Sequence, residues 1–213
     1  MPGANFGDLR ILSLESRRAN EVAKLIRTYG GEPLTAPAMR EIPLGSDQPV
    51  IEFAQALMRG AYDLVNFTTG VGVRSLVRIV SERIDRELFL DALCRVKIAA
   101  RDPKSSSALR ELQVPITVVS PEPFTWRAMM SALEAKLGTS LEGMNIAVQE
   151  YGTSNPELLT ALAERNISIT RLLVYQWALP EDIQPLSEAV LALAHGHIDI
   201  VVFMNAGQVM HLF

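Results

Sequence analysis

Apolar positions along the 213-residue chain fall into two patterns, short continuous runs and stretches at helical spacing, and the two alternate from end to end. Leu9 to Leu14 reads as a first strand. A helix from about Arg17 to Tyr29 follows, with Val22, Leu25, Ile26 and Tyr29 on one face and Gly30-Gly31 as its stop. Residues 32–44 read as extended, but Pro33, Pro37 and Pro43 restrict them to an edge strand or a crossing linker. Asp47 to Arg59 repeats at helical spacing, with Val50, Phe53, Ala54 and Leu57 inside. Asp63–Phe67, Val96–Ala100, Ile116–Val119 and Met144–Gln149 read as buried strands. Helices are expected over Val73–Ile84, Arg86–Leu93, Ala108–Leu112, Thr125–Leu137 and Pro156–Arg165. Ser168–Trp177 alternates over a length that suits a second crossing strand. A helix over Ile183–Ala194, with Leu186, Val190 and Leu193 inside, a strand from Ile198 and the start of one more helix follow.

Strands alternating with helices imply an α/β fold with parallel, doubly wound sheets. The two proline-marked or over-long extended stretches divide it. Residues 1–37 with 178–213 are expected to form one discontinuous domain, and residues 38–177 an inserted second one. One unit recurs. In Tyr62–Arg74, a short strand breaks at Thr68-Thr69-Gly70 and restarts as a helix at Val73. Ile198–Val209 repeats this 136 positions later, matching Asp63 with Asp199, Val65 with Val201 and Phe67 with Phe203.

Charge and composition remove several classes. A formal charge of −4 gives no support for nucleic-acid binding by bulk electrostatics and leaves a local basic cleft open. No apolar run approaches a membrane span and no signal-peptide pattern precedes the first strand, so a cytoplasmic protein is expected. The one cysteine, Cys94, follows Leu88, Phe89, Leu90 and Leu93 and reads as a small core residue. His195 and His197 flank Gly196 and mark a helix end rather than a metal site.

Candidate chemistry lies at the turns. In an open parallel sheet these gather at the carboxyl edge, where unpaired N–H groups at helix starts hold anions. Thr68, Thr69 and Gly70 form one such turn; Ser105 and Ser106 belong to a hydroxyl-rich second, and Gly152 and Thr153 to a third.

Four segments, taken together, bring in a family. Tyr62–Arg74 is similar to an aspartate–apolar–Phe-Thr-Ser segment of uroporphyrinogen-III synthases. Pro103-Lys104-Ser105-Ser106-Ser107-Ala108-Leu109 resembles their Pro-Lys-Thr-Ala segment, and Val174-Tyr175-Gln176 their Val-Tyr segment; residues 199–209 occupy the place of the last turn. The resemblance implies two α/β domains joined by a two-stranded ladder, with the active site in the cleft between them. It implies closure of the linear tetrapyrrole hydroxymethylbilane with inversion of its last pyrrole and loss of water. No cofactor or metal is implied. Tyr175 would assist loss of the hydroxyl as the catalytic residue. Thr68, Thr69, Gly70, Ser105, Ser106, Gly152, Thr153 and Asn205 would bind the substrate's carboxylates. Neither nucleic acid nor membrane is an expected partner, and a monomer is the expected unit, though the sequence leaves oligomeric state open.

Three positions depart from the pattern. Met204 and Asn205 stand where hydroxyl residues are usual. Gln149-Glu150 stands where an arginine precedes the acid, which leaves an acid beside a polyanion. The helix holding Phe213 ends the chain where the family continues, so the first domain reads as truncated or as covered by a partner. A non-catalytic binding or sensor module of the same fold therefore stays open beside the enzyme.

Overall fold

The structure, a computed structural model, describes residues 5–42, 44–138, 141–150 and 156–212. In chain order the elements are β1 (Arg10–Ser13), α1 (Ala19–Thr28), β2 (Glu32–Thr35), β3 (Arg40–Ile42), α2 (Gln48–Met58), β4 (Leu64–Phe67) and α3 (Gly70–Ser81). There follow α4 (Arg86–Arg95), β5 (Lys97–Ala100), α5 (Pro103–Glu111), β6 (Val118–Val119), α6 (Trp126–Leu137), β7 (Asn145–Gln149), α7 (Pro156–Ala163) and β8 (Ser168–Leu172). β9 (Gln176–Ala178), α8 (Gln184–Ala194), β10 (Ile200–Val202) and α9 (Ala206–Leu212) complete the chain. Residues up to Ile42 and from Trp177 onward group as one compact unit, and the residues between them as another. β3 and β9 pair as a two-stranded sheet.

The first unit holds a parallel sheet in the order β10-β1-β2. β1 is central and buries Ile11, Leu12 and Ser13. Pro33 sits on the edge strand β2, where its missing N–H breaks no ladder. Leu12, Leu14, Ala36, Ala38, Met39, Leu186, Ala189 and Leu212 make the core. The stripe expected on α1 is narrower than its apolar content suggests: Ala23 and Ile26 are buried, whereas Leu25 and Tyr29 are exposed. A three-stranded sheet gives the helix little surface to cover. On α8, likewise, Leu186 and Ala189 face inward and Val190 does not.

The second unit holds five parallel strands in the order β6-β5-β4-β7-β8. β4 lies at the centre and is buried throughout. Its side chains alternate between faces, so Leu64 and Asn66 share one and Val65 and Phe67 the other. On the Leu64 face, Ala99, Val118, Ile146 and Val148 pack against Met129, Met130 and Leu133 of α6 and Leu158 and Leu162 of α7.

Several expected boundaries move. α5 starts at Pro103 rather than Ala108, because Asp102 and Ser105 form a capping box with Pro103 at the first helical position. Ser105 and Ser106 are thus helical and buried, not residues of an open turn. The long crossing strand is two strands, β8 and β9, with residues 173–175 between them. Cys94 is exposed, not core: α4 turns Phe89, Leu90, Ala92 and Leu93 inward, and the next residue falls about 100° further round. No helix among the described residues is long and apolar enough to cross a membrane.

Candidate functional site

Parallel β4, β5 and β7 bring the residues that follow them to one edge of the five-stranded sheet. Thr69 keeps an extended backbone and caps α3, its Oγ1 accepting from the Gly72 N–H at 3.0 Å. Gln149, at the end of the neighbouring β7, turns its side chain onto the same turn. Its Oε1 accepts from the N–H groups of Thr68 and Thr69, both at 3.2 Å, and the Thr68 hydroxyl donates to its carbonyl at 2.8 Å. Gly72 makes room for that amide, since a Cβ there would meet Gln149 Cδ at 2.2 Å. Tyr175 comes from beyond β8, and its hydroxyl lies 3.3 Å from Thr69 Oγ1. The ring is buried at 1% exposure, so the phenol reaches the edge by way of Thr69 rather than standing open.

Glu150 follows Gln149 and is also buried. The acid does have its arginine. Arg171 on β8 holds both carboxylate oxygens, Nε to Oε1 at 2.9 Å and Nη2 to Oε2 at 3.0 Å. Those hydrogen bonds and the attraction of the carboxylate hold the Arg171 pKa above the ordinary arginine value, against a small opposing effect of burial.

Below this edge, on the Leu64 face, a cleft of about 500 Å3 opens in the second unit. Its apolar lining includes Phe124, Met129, Val148 and Leu158, and Asn66, Arg101 and Trp126 bring polar groups to it beside the carboxylates of Glu150 and Glu157, which are paired with Arg171 and Arg127. Trp126 is fixed in place: its Nε1–H donates to Glu157 at 2.9 Å, and the Arg127 guanidinium lies 4.4 Å from its ring centre.

The other expected site residues are placed as follows. Gly70 is buried, and a Cβ on it would meet the backbone carbonyl of Lys104 at 2.5 Å; the missing side chain permits the approach of α3 to α5. The Ser105 hydroxyl bonds the Asp102 carboxylate and carbonyl, and Ser106 the same carbonyl, all at 2.9 Å. Gly152 and Thr153 lie outside the described residues. Asn205 belongs to the first unit, where its Oδ1 accepts from the Gln208 N–H at 3.1 Å and caps α9. The structure thus brings Thr68, Thr69 and Tyr175 together and commits Ser105 and Ser106 to a helix start. Gln149, Arg171, Asn66 and Trp126 were not foreseen. Asn66 and Gln149, polar residues in strands read as buried, carried a local signal; Arg171 and Trp126 did not.

Among the described residues no group of three or more His, Cys, Asp and Glu side chains could hold a metal ion. The family model described as uroporphyrinogen-III synthase HemD matches residues 20–213. The uncharacterized protein YjjA of Bacillus subtilis (strain 168) is 30% identical over 198 residues, which span 93% of this chain and 71% of YjjA. A mutant uroporphyrinogen III synthase from the extremely thermophilic bacterium Thermus thermophilus has a similar structure, with a TM-score of 0.73 and 30% identity over 96% of this chain and 76% of that one. The uroporphyrinogen-III synthetase of Helicobacter pylori 26695, at 15% identity, shares the fold with a TM-score of 0.55 over 96% and 78% of the two chains.

Proposed function

This chain belongs to the uroporphyrinogen-III synthase family, and on that premise we propose that it closes hydroxymethylbilane into the type III ring, inverting the last pyrrole and releasing water. The observation that carries this reading is the contact of Tyr175 with Thr69, 106 positions apart. It joins two separately family-like segments at the carboxyl end of the central strand. The Thr69 oxygen receives the Gly72 N–H and, with the phenol as donor, the Tyr175 O–H. Its own proton passes to the departing hydroxyl as the carbon–oxygen bond breaks, giving water, while the pyrrole nitrogen supplies the electron pair; the Tyr175 proton moves onto Thr69 in its place, and the proton lost when the closed ring becomes aromatic again restores the phenol. Thr69 is the catalytic donor in this scheme and Tyr175 acts through it. Ring closure then needs the chain ends held together, which is the work of positioning.

The substrate's carboxylates would meet main-chain donors. Gly70 and Val71 open α3, where N–H groups have no partner within the helix. Residues Gly152 and Thr153, before α7, are proposed for the same task. Thr68, Ser105, Ser106 and Asn205 would hold these turns in shape.

A second reading, a binding module without turnover, has its own support. The hydroxyls of Thr68, Ser105 and Ser106 and the N–H groups of Thr68 and Thr69 are all used inside the fold. Incubation with hydroxymethylbilane, followed by separation of the type I and type III isomers, decides between the two. Type III product above the spontaneous type I background supports the enzyme. Type I alone, with a tetrapyrrole still bound, supports the binding module.

A further inference from the structure

Asn66 is the polar exception on an apolar sheet face. It is 5% exposed, and its strand neighbours in register are Ala99 and Val148, neither of which offers a hydrogen bond from its side chain. Its Oδ1 is buried without a partner, and its carboxamide bonds no other described residue. A buried amide of this kind is costly unless something supplies the missing contact. The fold does not ask for it: the repeat places Val202 at the same point of β10. The amide lines the cleft beside Met129, Val148, Leu158 and the fixed Trp126, with the Arg101 side chain at 32% exposure on the same wall.

We propose that this cleft seats a single pyrrole ring carrying a carboxylate, with Asn66 as its recognition residue. The ring N–H donates to the Asn66 Oδ1. The flat hydrocarbon body lies against Met129, Val148, Leu158 and Trp126, and the carboxylate takes the Asn66 Nδ2–H. A volume of about 500 Å3 suits one substituted ring, not a whole tetrapyrrole. The proposal rests on the tetrapyrrole reading for the ring's identity, and it makes Asn66 a positioning residue for one ring of the chain.

The test uses the full chain labelled with 15N and the probe pyrrole-2-carboxylate, with N-methylpyrrole-2-carboxylate as the analogue that lacks the donor. The expected result is a shift of the Trp126 indole N–H signal without a shift of Trp177, and binding of the N-methyl analogue weaker by roughly tenfold, the loss of one hydrogen bond. Asn66→Leu should lose that discrimination and, having shed an unpaired amide, should melt at a higher temperature. Equal binding of both probes by the unaltered chain overturns the proposal without any variant. So does an Asn66→Leu protein that melts lower, since the amide would then serve the fold. Discrimination lost in Asn66→Leu upholds it even where no type III isomer forms. Type III formation by Asn66→Leu with an unchanged KM refutes it and leaves the enzyme standing.

Discussion

Asp63 and Asp199 hold the same post in the two units. Each carboxylate accepts from the first N–H of the neighbouring strand, Asn145 at 2.8 Å in one and Arg10 at 2.7 Å in the other. The helix caps match as well: Thr69 takes the Gly72 N–H, and Asn205 takes the Gln208 N–H. Between these fixed points the two edges differ by an exchange. In the second unit a glutamine ends the strand, Gln149, and the helix opposite carries Gly72. In the first unit the strand leads into Leu14, and the helix carries Gln208 in the place of Gly72. Gln208 Oε1 accepts from the Met204 N–H at 2.6 Å, and its Nε2 donates to the Leu14 carbonyl at 3.2 Å. The same two backbone groups are satisfied at both edges: the turn N–H by an amide that arrives from opposite sides, and the strand-end carbonyl by the Thr68 hydroxyl in one unit and the Gln208 amide in the other.

The exchange explains why Met204 can stand where a hydroxyl residue is usual. In the second unit the Thr68 hydroxyl serves the strand-end carbonyl; in the first, Gln208 serves it, and the turn residue is released. What remains for chemistry is unequal. Thr69 has a hydroxyl with Tyr175 behind it, and Asn205 has neither. Two copies of one turn can share these backbone needs and still leave a hydroxyl backed by a phenol at only one.

The comparison breaks most readily at the glycines. Gly70→Ala should destabilise the chain by about 3 kcal/mol in urea unfolding, because its Cβ meets backbone rather than a movable side chain. A loss well under 1 kcal/mol would mean that α3 and α5 part without cost. Next comes the exchange itself. Gly72→Gln alone should cost about 2–3 kcal/mol by displacing the Gln149 amide. Adding Gln149→Leu recreates the arrangement of the first unit and should recover at least about 1 kcal/mol of coupling. Purely additive losses would show that the two edges are not interchangeable.

Smaller effects sharpen the contrast. Tyr175→Phe should slow type III formation by roughly 10–100-fold with a stability change below about 1 kcal/mol; unchanged turnover would return the ring to packing alone. Arg171→Ala should cost about 1–2 kcal/mol, since it removes one partner of a buried carboxylate, a half-exposed cation whose attraction is screened. Thr69→Ala and Asn205→Ala should each cost about 1 kcal/mol as helix caps. A clear inequality between the two, measured by thermal unfolding, would expose a structural task that only one of them performs.

Periodicity alone determined the alternation of strands and helices, the parallel sheets, the buried row Val50, Phe53, Ala54 and Leu57, and the repeat of one strand–turn–helix unit. These follow from local rules, since the side-chain period and the cap residues lie within a few positions of one another. Tertiary structure decided the partners. Gln149 reaches Thr68 across 81 positions, Glu150 finds Arg171 across 21, and Tyr175 finds Thr69 across 106. Each of these pairs depends on strand order and register, which no local period encodes. The same limit made Glu150 read as an acid without an arginine, whereas the capping box that makes Ser105 and Ser106 helical, Asp102 with Ser105, is local and could have been read. The partner of Glu150 is assigned by which strand lies next to which.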